Sequence, residues 1–172
     1  METIYFTPGP TQTHEKLENY INEAIKKRVC SISHRSKEFE SIFQHTVSSL
    51  RKLLNLPEKF YVFFLGSATE AMERIIQNCV MKQSYHFVNG EFSNRFFLTA
   101  QELKKQAHKF EVQPGQGFDF SKVEIPSETE VICLTQNETS TGVAIPMKDI
   151  YDLKIKNPDK LLAIDIVSSV PY

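Results

Sequence analysis

Neither sign of charge is in surplus: 20 lysines and arginines stand against 21 aspartates and glutamates, a net charge of −1. That balance gives no basic surface for nucleic acid. Long apolar runs are missing too, so no segment is expected to cross a bilayer. The opening residues, Met1-Glu2-Thr3-Ile4-Tyr5, carry neither the basic region nor the apolar core of a secretory signal. Only three cysteines occur, Cys30, Cys79 and Cys133, each in or beside an apolar segment. This spacing suits buried thiols in a reducing cytoplasm rather than a disulfide frame, and no Cys/His spacing suits zinc or another metal. There is no Gly-x-Gly-x-x-Gly and no Walker-type Gly-Lys-Ser/Thr, which removes the usual marks of a nucleotide-binding α/β module. Internal repeats and low-complexity tracts are likewise absent.

What is present is an ordinary globular composition, 41% hydrophobic and 24% charged, in 172 residues, enough for an α/β domain with a real core. The organising stretch is Phe60-Tyr61-Val62-Phe63-Phe64-Leu65 followed by Gly66-Ser67-Ala68-Thr69-Glu70. The apolar run is too short for a helix core and predicts a buried strand. Gly66 and Ser67 break it, Ser67 or Thr69 can cap the helix that follows, and Glu70 and Glu73 suit its positive end. A strand, a turn of small residues and a helix start form a place where free backbone N–H groups can cradle a phosphate. An ordinary βα loop has the same local pattern.

Around this stretch the chain alternates. An extended arm at 4–12 contains Pro8-Gly9-Pro10, which forbids a helix. Thr13 can cap a first helix with the stripe Leu17, Tyr20, Ile21, Ala24 and Ile25, ended by Lys26, Lys27 and Arg28. A polar link with His34 and Arg35 leads to a second helix at about 37–55, whose buried face is expected to be Phe39, Ile42, Phe43, Val47, Leu50 and Leu54. Helices are then expected at 69–82, 93–106 and 147–156, and strands at 85–88, 110–112, 131–135 and 161–167. The alternation predicts a mostly parallel sheet with helices on both faces. In such sheets ligands bind beyond the carboxyl ends of the strands. Gly66-Ser67-Ala68-Thr69, Asn89-Gly90-Glu91-Phe92, Asn137-Glu138-Thr139 and Asp165 all fall on that edge.

Asp165 is the sharpest of these, because Ile164 and Ile166 flank it. A lone buried carboxylate needs a cation or several donors. A protonated ring nitrogen on a ligand would serve, as would loop amides. Phe92 could cover a flat ligand or simply belong to the core. Arg35, beside His34, offers a fork for a carboxylate or phosphate, or a solvated basic pair. Asn137, Thr139, Ser140 and Thr141 offer polar groups to a ligand or caps to their own loop.

Five segments, Phe6 to Thr11, Ser33 to Phe39, Gly66 to Glu73, Asn137 to Gly142 and Asp165 to Ser169, occur in the order seen in class V aminotransferases, which this chain resembles along its whole length. The resemblance implies pyridoxal phosphate as cofactor and the fold type I large domain. Residues 1–15 would form an N-terminal arm and 16–172 part of the cofactor-binding domain. Ser33 to Phe39 and Asn137-Glu138-Thr139 are similar to the phosphoserine branch; Gly66 to Glu73 and Val167-Ser168-Ser169 are similar to the alanine–glyoxylate and serine–pyruvate branch. By resemblance, Ala68 and Thr69 would hold the cofactor phosphate, and Phe92 would stack on the ring. Thr139 would bond the ring's phenolic oxygen, Asp165 would pair with the ring nitrogen, and His34 and Arg35 would bind substrate. Ala68 replaces a glycine usual in this motif. Substrates would be an amino acid and a 2-oxo acid, and the assembly a homodimer. The family's Schiff-base lysine lies downstream of the Asp-x-Val-Ser-Ser segment, past Tyr172. The expectation is therefore an N-terminal portion, without the small C-terminal domain and inactive by itself; a non-catalytic protein retaining the fold is the other possibility.

Overall fold

The computed structural model describes residues 4–7 and 9–170. Pro8 of the arm, the first three residues and the Pro171-Tyr172 end lie outside the described residues. The chain divides into two compact units, Met1–Phe64 and Leu65–Tyr172. The arm boundary expected after residue 15 lies inside the first.

The first unit holds helix α1 (Leu17–Lys26), a 3-10 turn (Val29–Ser31) and helix α2 (Lys37–Leu53). Thr13 does not cap α1; Lys16 occupies that position without a side-chain bond. Helix α2 is capped by Ser36, whose hydroxyl accepts from Phe39 N at 3.1 Å. Its predicted apolar face is only half-covered: Phe39, Phe43, Val47, Leu50 and Leu54 are half-buried and Ile42 is exposed. Neither helix has a buried residue.

Residues 60–65 correct the sequence expectation. They form no strand, and Tyr61 and Phe63 are 86% and 81% exposed. The reason is pairing. A strand is stable when a neighbour takes its backbone N–H and C=O groups and another layer covers its side chains. None of the described strands pairs with this run. Phe64 meets Phe43 edge-on at 5.6 Å, and Arg51 holds the carbonyls of Pro57 and Phe60, so the segment is tethered but uncovered.

The second unit is built on a parallel sheet of β1 (Gln83–Val88), β2 (Gln106–Glu111), β3 (Val131–Thr135) and β6 (Leu161–Asp165), in the order β2-β1-β3-β6. A short antiparallel pair, β4 (Asn137–Glu138) with β5 (Val143–Ala144), sits just past β3. Helices α3 (Ala68–Cys79) and α4 (Glu91–Glu102) belong to one face, where Met72, Ile76, Phe96 and Ala100 pack with Val131, Cys133 and Ala163. Helix α5 (Met147–Lys156) belongs to the other, where Ile150 and Leu153 pack with Tyr85, Phe87, Ile132 and Leu134. The alternation of side chains along β1 and β3 explains this division. Both central strands are buried throughout; β3 reads as a continuous apolar run for that reason, whereas β1 buries Gln83, Ser84 and His86 among its apolar residues.

The thiols depart from expectation. Cys133 is buried, and burial raises its pKa, but Cys30 and Cys79 are exposed. No helix among the described residues is long and apolar enough to cross a membrane. Among the same residues no cluster of His, Cys, Asp or Glu is placed to hold a metal.

Candidate functional site

At the carboxyl edge of the sheet, on the face covered by α3 and α4, lies a cavity of about 150 Å³. Ala68, Thr69, Phe92, Thr139 and Asp165, the five predicted cofactor-contacting residues, all line it. A larger hollow of about 410 Å³ lies between residues 118–125 and α5, away from the strand ends.

Helix α3 supplies one wall. Ser67 caps it, its hydroxyl accepting from Glu70 N at 3.0 Å. Glu70 reaches back and accepts from Gly66 N at 2.9 Å, closing the turn, while Ala71 N donates to the Ser67 carbonyl at 3.1 Å. The amides of Ala68 and Thr69 have no partner among the described residues. Two free donors thus remain at the positive end of a helix beside the cavity.

Helix α4 supplies the aromatic wall, Phe92, and a cation, Arg95. Arg95 reaches Glu102 at 3.3 Å on an exposed surface, a pair of little weight in water. The start of α4 differs from that of α3, because side chains already occupy it. Glu138, wholly buried, accepts from Ser93 N at 2.8 Å and Phe92 N at 3.3 Å. Burial pushes its pKa up, but the Ser140 hydroxyl and the Ser93 amide outweigh that and hold the carboxyl below its usual range. Ser140 Oγ in turn accepts from Glu91 N at 3.0 Å.

Asp165 ends β6, half-buried rather than enclosed by its apolar neighbours, and its Oδ1 accepts from Val167 N at 3.0 Å. This is the loop-amide contact that its position allowed from the start. Its cross-strand neighbour is Thr135, 3% exposed, whose hydroxyl has no partner among the described residues. Ser168 ties the segment after β6 to the β4 strand: Thr139 Oγ1 donates to Ser168 Oγ at 2.8 Å, and Ser168 Oγ donates to the Asn137 carbonyl at 3.0 Å.

Arg95, Thr135 and Ser168 line the cavity without having been singled out from sequence. Ser168 stood inside a quoted motif, whereas Arg95 carried no signal beyond lying one helical turn after Phe92. His34 and Arg35 belong to the first unit, exposed in the turn between Ser33 and Ser36. No lysine lines the cavity.

Fold and site together define an α/β protein with a cavity at the carboxyl edge of a parallel sheet, its mostly apolar wall carrying the open helix start of α3 and the carboxylate of Asp165. The family of class-V aminotransferases matches residues 6–172, and this chain belongs to it. A phosphoserine aminotransferase structure from Cytophaga hutchinsonii superimposes with a TM-score of 0.93 at 47% identity, covering 98% of this chain and 47% of that one. The phosphoserine aminotransferase of Legionella pneumophila is 31% identical over 142 residues, 78% of this chain and 38% of the relative. An uncharacterized aminotransferase of Methanocaldococcus jannaschii is 27% identical, over 99% of this chain and 44% of the relative. The chain therefore spans less than half the length of these relatives.

Proposed function

We propose that this chain forms the cofactor-binding portion of a pyridoxal-phosphate-dependent aminotransferase that passes an amino group between phosphoserine and a 2-oxo acid. The observation that carries the reading is the shared lining of one cavity by Ala68, Thr69, Phe92, Thr139 and Asp165. The donor set fits such a cofactor. The free amides of Ala68 and Thr69 would take its phosphate. Asp165 would face its ring nitrogen and hold the proton there. Thr139 would hydrogen-bond its phenolic oxygen, its hydroxyl turning from Ser168 to do so, and Phe92 would cover the ring and exclude water. When bound, pyridoxal phosphate supplies an electron-accepting ring to an α-amino acid. The unpartnered Thr135 hydroxyl, opposite Asp165 in the register, would be a further donor at that end of the sheet.

The phosphoserine assignment draws on the 47% and 31% identities to enzymes of that name. His34 and Arg35 would bind the substrate's anionic groups, in an assembly we propose to be a cytoplasmic homodimer. The cavity lining holds no lysine, and the chain spans less than half the length of its relatives, which supports placing covalent capture of the cofactor in the part of the relatives that this chain does not cover.

The test compares this chain with a protein that carries it together with a lysine-bearing continuation. Both are mixed with pyridoxal phosphate and freed of excess. The longer protein is expected to retain visible absorbance and to consume phosphoserine with a 2-oxo acid, and this chain to do neither. Turnover of alanine or serine instead would overturn the substrate. Stable covalent cofactor on a lysine of this chain would overturn the division of labour.

A further inference from the structure

Glu138 presents an unusual situation: a carboxylate with no solvent exposure and no ion pair to any cation among the described residues. Such a group is costly unless its oxygens are saturated with donors. They are. Oε2 accepts from Ser93 N at 2.8 Å; Oε1 accepts from Ser140 Oγ at 2.5 Å, Phe92 N at 3.3 Å and Ser140 N at 3.4 Å. The residue's own backbone is fixed as well, since its carbonyl accepts from Thr141 N at 3.2 Å and Gly142 N at 2.9 Å. The fit is close. A Cβ on Gly90 would come within 2.5 Å of Glu138 Cγ and of Ser140 Oγ.

Two of the five donors to this carboxylate and its serine are the amides of Phe92 and of Glu91, the residue before it. We propose that Glu138 is the positioning residue of the cavity's aromatic wall: a resident anion at the start of α4 that fixes where Phe92 stands. A further consequence follows from charge. With a carboxylate already seated on α4, only the α3 start of the two keeps open backbone amides for an incoming anion, which favours one orientation for a ligand with one anionic group. The significance of Phe92 rests on reading the cavity as a cofactor site; the way Phe92 is held does not.

The chain has no tryptophan, so Phe92→Trp introduces a single indole at the wall. F92W is compared with F92W/E138Q, in which the amide keeps the carboxylate's shape but loses an acceptor, and with the milder F92W/S140A, which keeps Glu138 in place. Acrylamide quenching of the indole is expected to rise roughly twofold in F92W/E138Q and less in F92W/S140A, with matching loss of amide-exchange protection at Ser93. Pyridoxal phosphate is expected to quench the indole in F92W and to bind roughly tenfold more weakly in F92W/E138Q. Should E138Q not fold, S140A alone decides. Unchanged accessibility and unchanged Ser93 exchange in the folded variants would overturn the inference. If the indole loosens while pyridoxal phosphate quenches no variant, the positioning role stands and the cofactor reading fails. If pyridoxal phosphate quenches all variants equally with no loosening, the cofactor reading stands and the positioning role fails.

Discussion

Helices α3 and α4 both start at the same sheet edge and both line the cavity, yet their first turns are built in opposite ways. In α4 the amides of Glu91, Phe92 and Ser93 go to Ser140 and Glu138, side chains from more than forty residues downstream. In α3 the cap is local, from Ser67 and Glu70, and the amides of Ala68 and Thr69 are left open. Two helix starts with the same dipole thus differ in availability. One is satisfied by its own protein and serves as structure, and the other is free to take an anion. A helix N-terminus is informative about binding only after its side-chain caps have been accounted for.

The largest expected effect comes from acid, and it strikes the α4 side. His86 of β1 is wholly buried, with its ring edge-on to Phe96 and Phe97 of α4 at 5.6 Å each. Nε2 lies 2.8 Å from Ser84 Oγ, while Nδ1 has no partner among the described residues. Burial pushes its pKa down from 6.5 to about 4. The unfolded chain therefore binds a proton at higher pH than the folded one, so stability falls as pH drops from 6.5 toward 4 and levels below that. The shift corresponds to a loss of about 3 kcal/mol across the window. Glu138 acts in the same direction at lower pH: its folded value is depressed, so its contribution is lost as pH falls through that value. Urea unfolding between pH 7 and 4 checks this. A flat profile, or one unchanged in His86→Leu, would break the link between α4 and the buried imidazole.

Next in size is a pair of glycine substitutions that sets the two helix starts side by side. Gly90→Ala would drive a methyl into Glu138 and Ser140 at 2.5 Å, against side chains that are themselves fixed. The backbone there is extended, with φ of 179°, so the cost is steric alone. Overpacking of this kind costs about 2 kcal/mol, a fall of roughly 4–8 °C in melting temperature for a chain of this size. Gly66→Ala meets only the flexible carboxylate end of Glu70, at 3.1 Å, and should cost under about 0.5 kcal/mol. Equal losses would mean that the two starts are equally tight.

β3 and the helices α4 and α5 were legible in the sequence from the buried apolar run of β3 and the apolar spacing of the helices, whereas β2 (Gln106–Glu111), an edge strand with mostly exposed side chains, was read only at 110–112 and its start as the end of a helix at 93–106. The loop tips were legible as well: Ala68, Thr69, Phe92, Thr139 and Asp165 were separately read as lying on one edge, and they share one cavity. Residues 60–65 were misread because an apolar run reports a need for cover, not the presence of a partner to supply it. Thr135 looked like the last residue of an ordinary strand; only the register shows that it stands opposite Asp165. Glu138 was visible only as one letter of a polar loop. Its burial depends on a contact 45 residues back, at Ser93, which no local pattern encodes.

The smallest expected effect on stability is also the sharpest probe of the open helix start. Ala68 is the first residue of α3, where proline is favoured because its fixed φ suits the helix and its missing N–H would be unpaired in any case. Ala68→Pro should therefore shift the melting temperature by no more than roughly 2 °C while deleting one of the two free donors. Inorganic phosphate is the probe. On the parent chain it should raise the melting temperature in proportion to the logarithm of its concentration above its dissociation constant, and on A68P that rise should shrink by at least about half. A rise that persists unchanged in A68P would place the anion elsewhere and erase the contrast between α3 and α4. A rise lost in A68P but unaffected by Gly90→Ala would place it at the α3 start, because the second substitution disturbs only the helix whose amides Glu138 and Ser140 already hold.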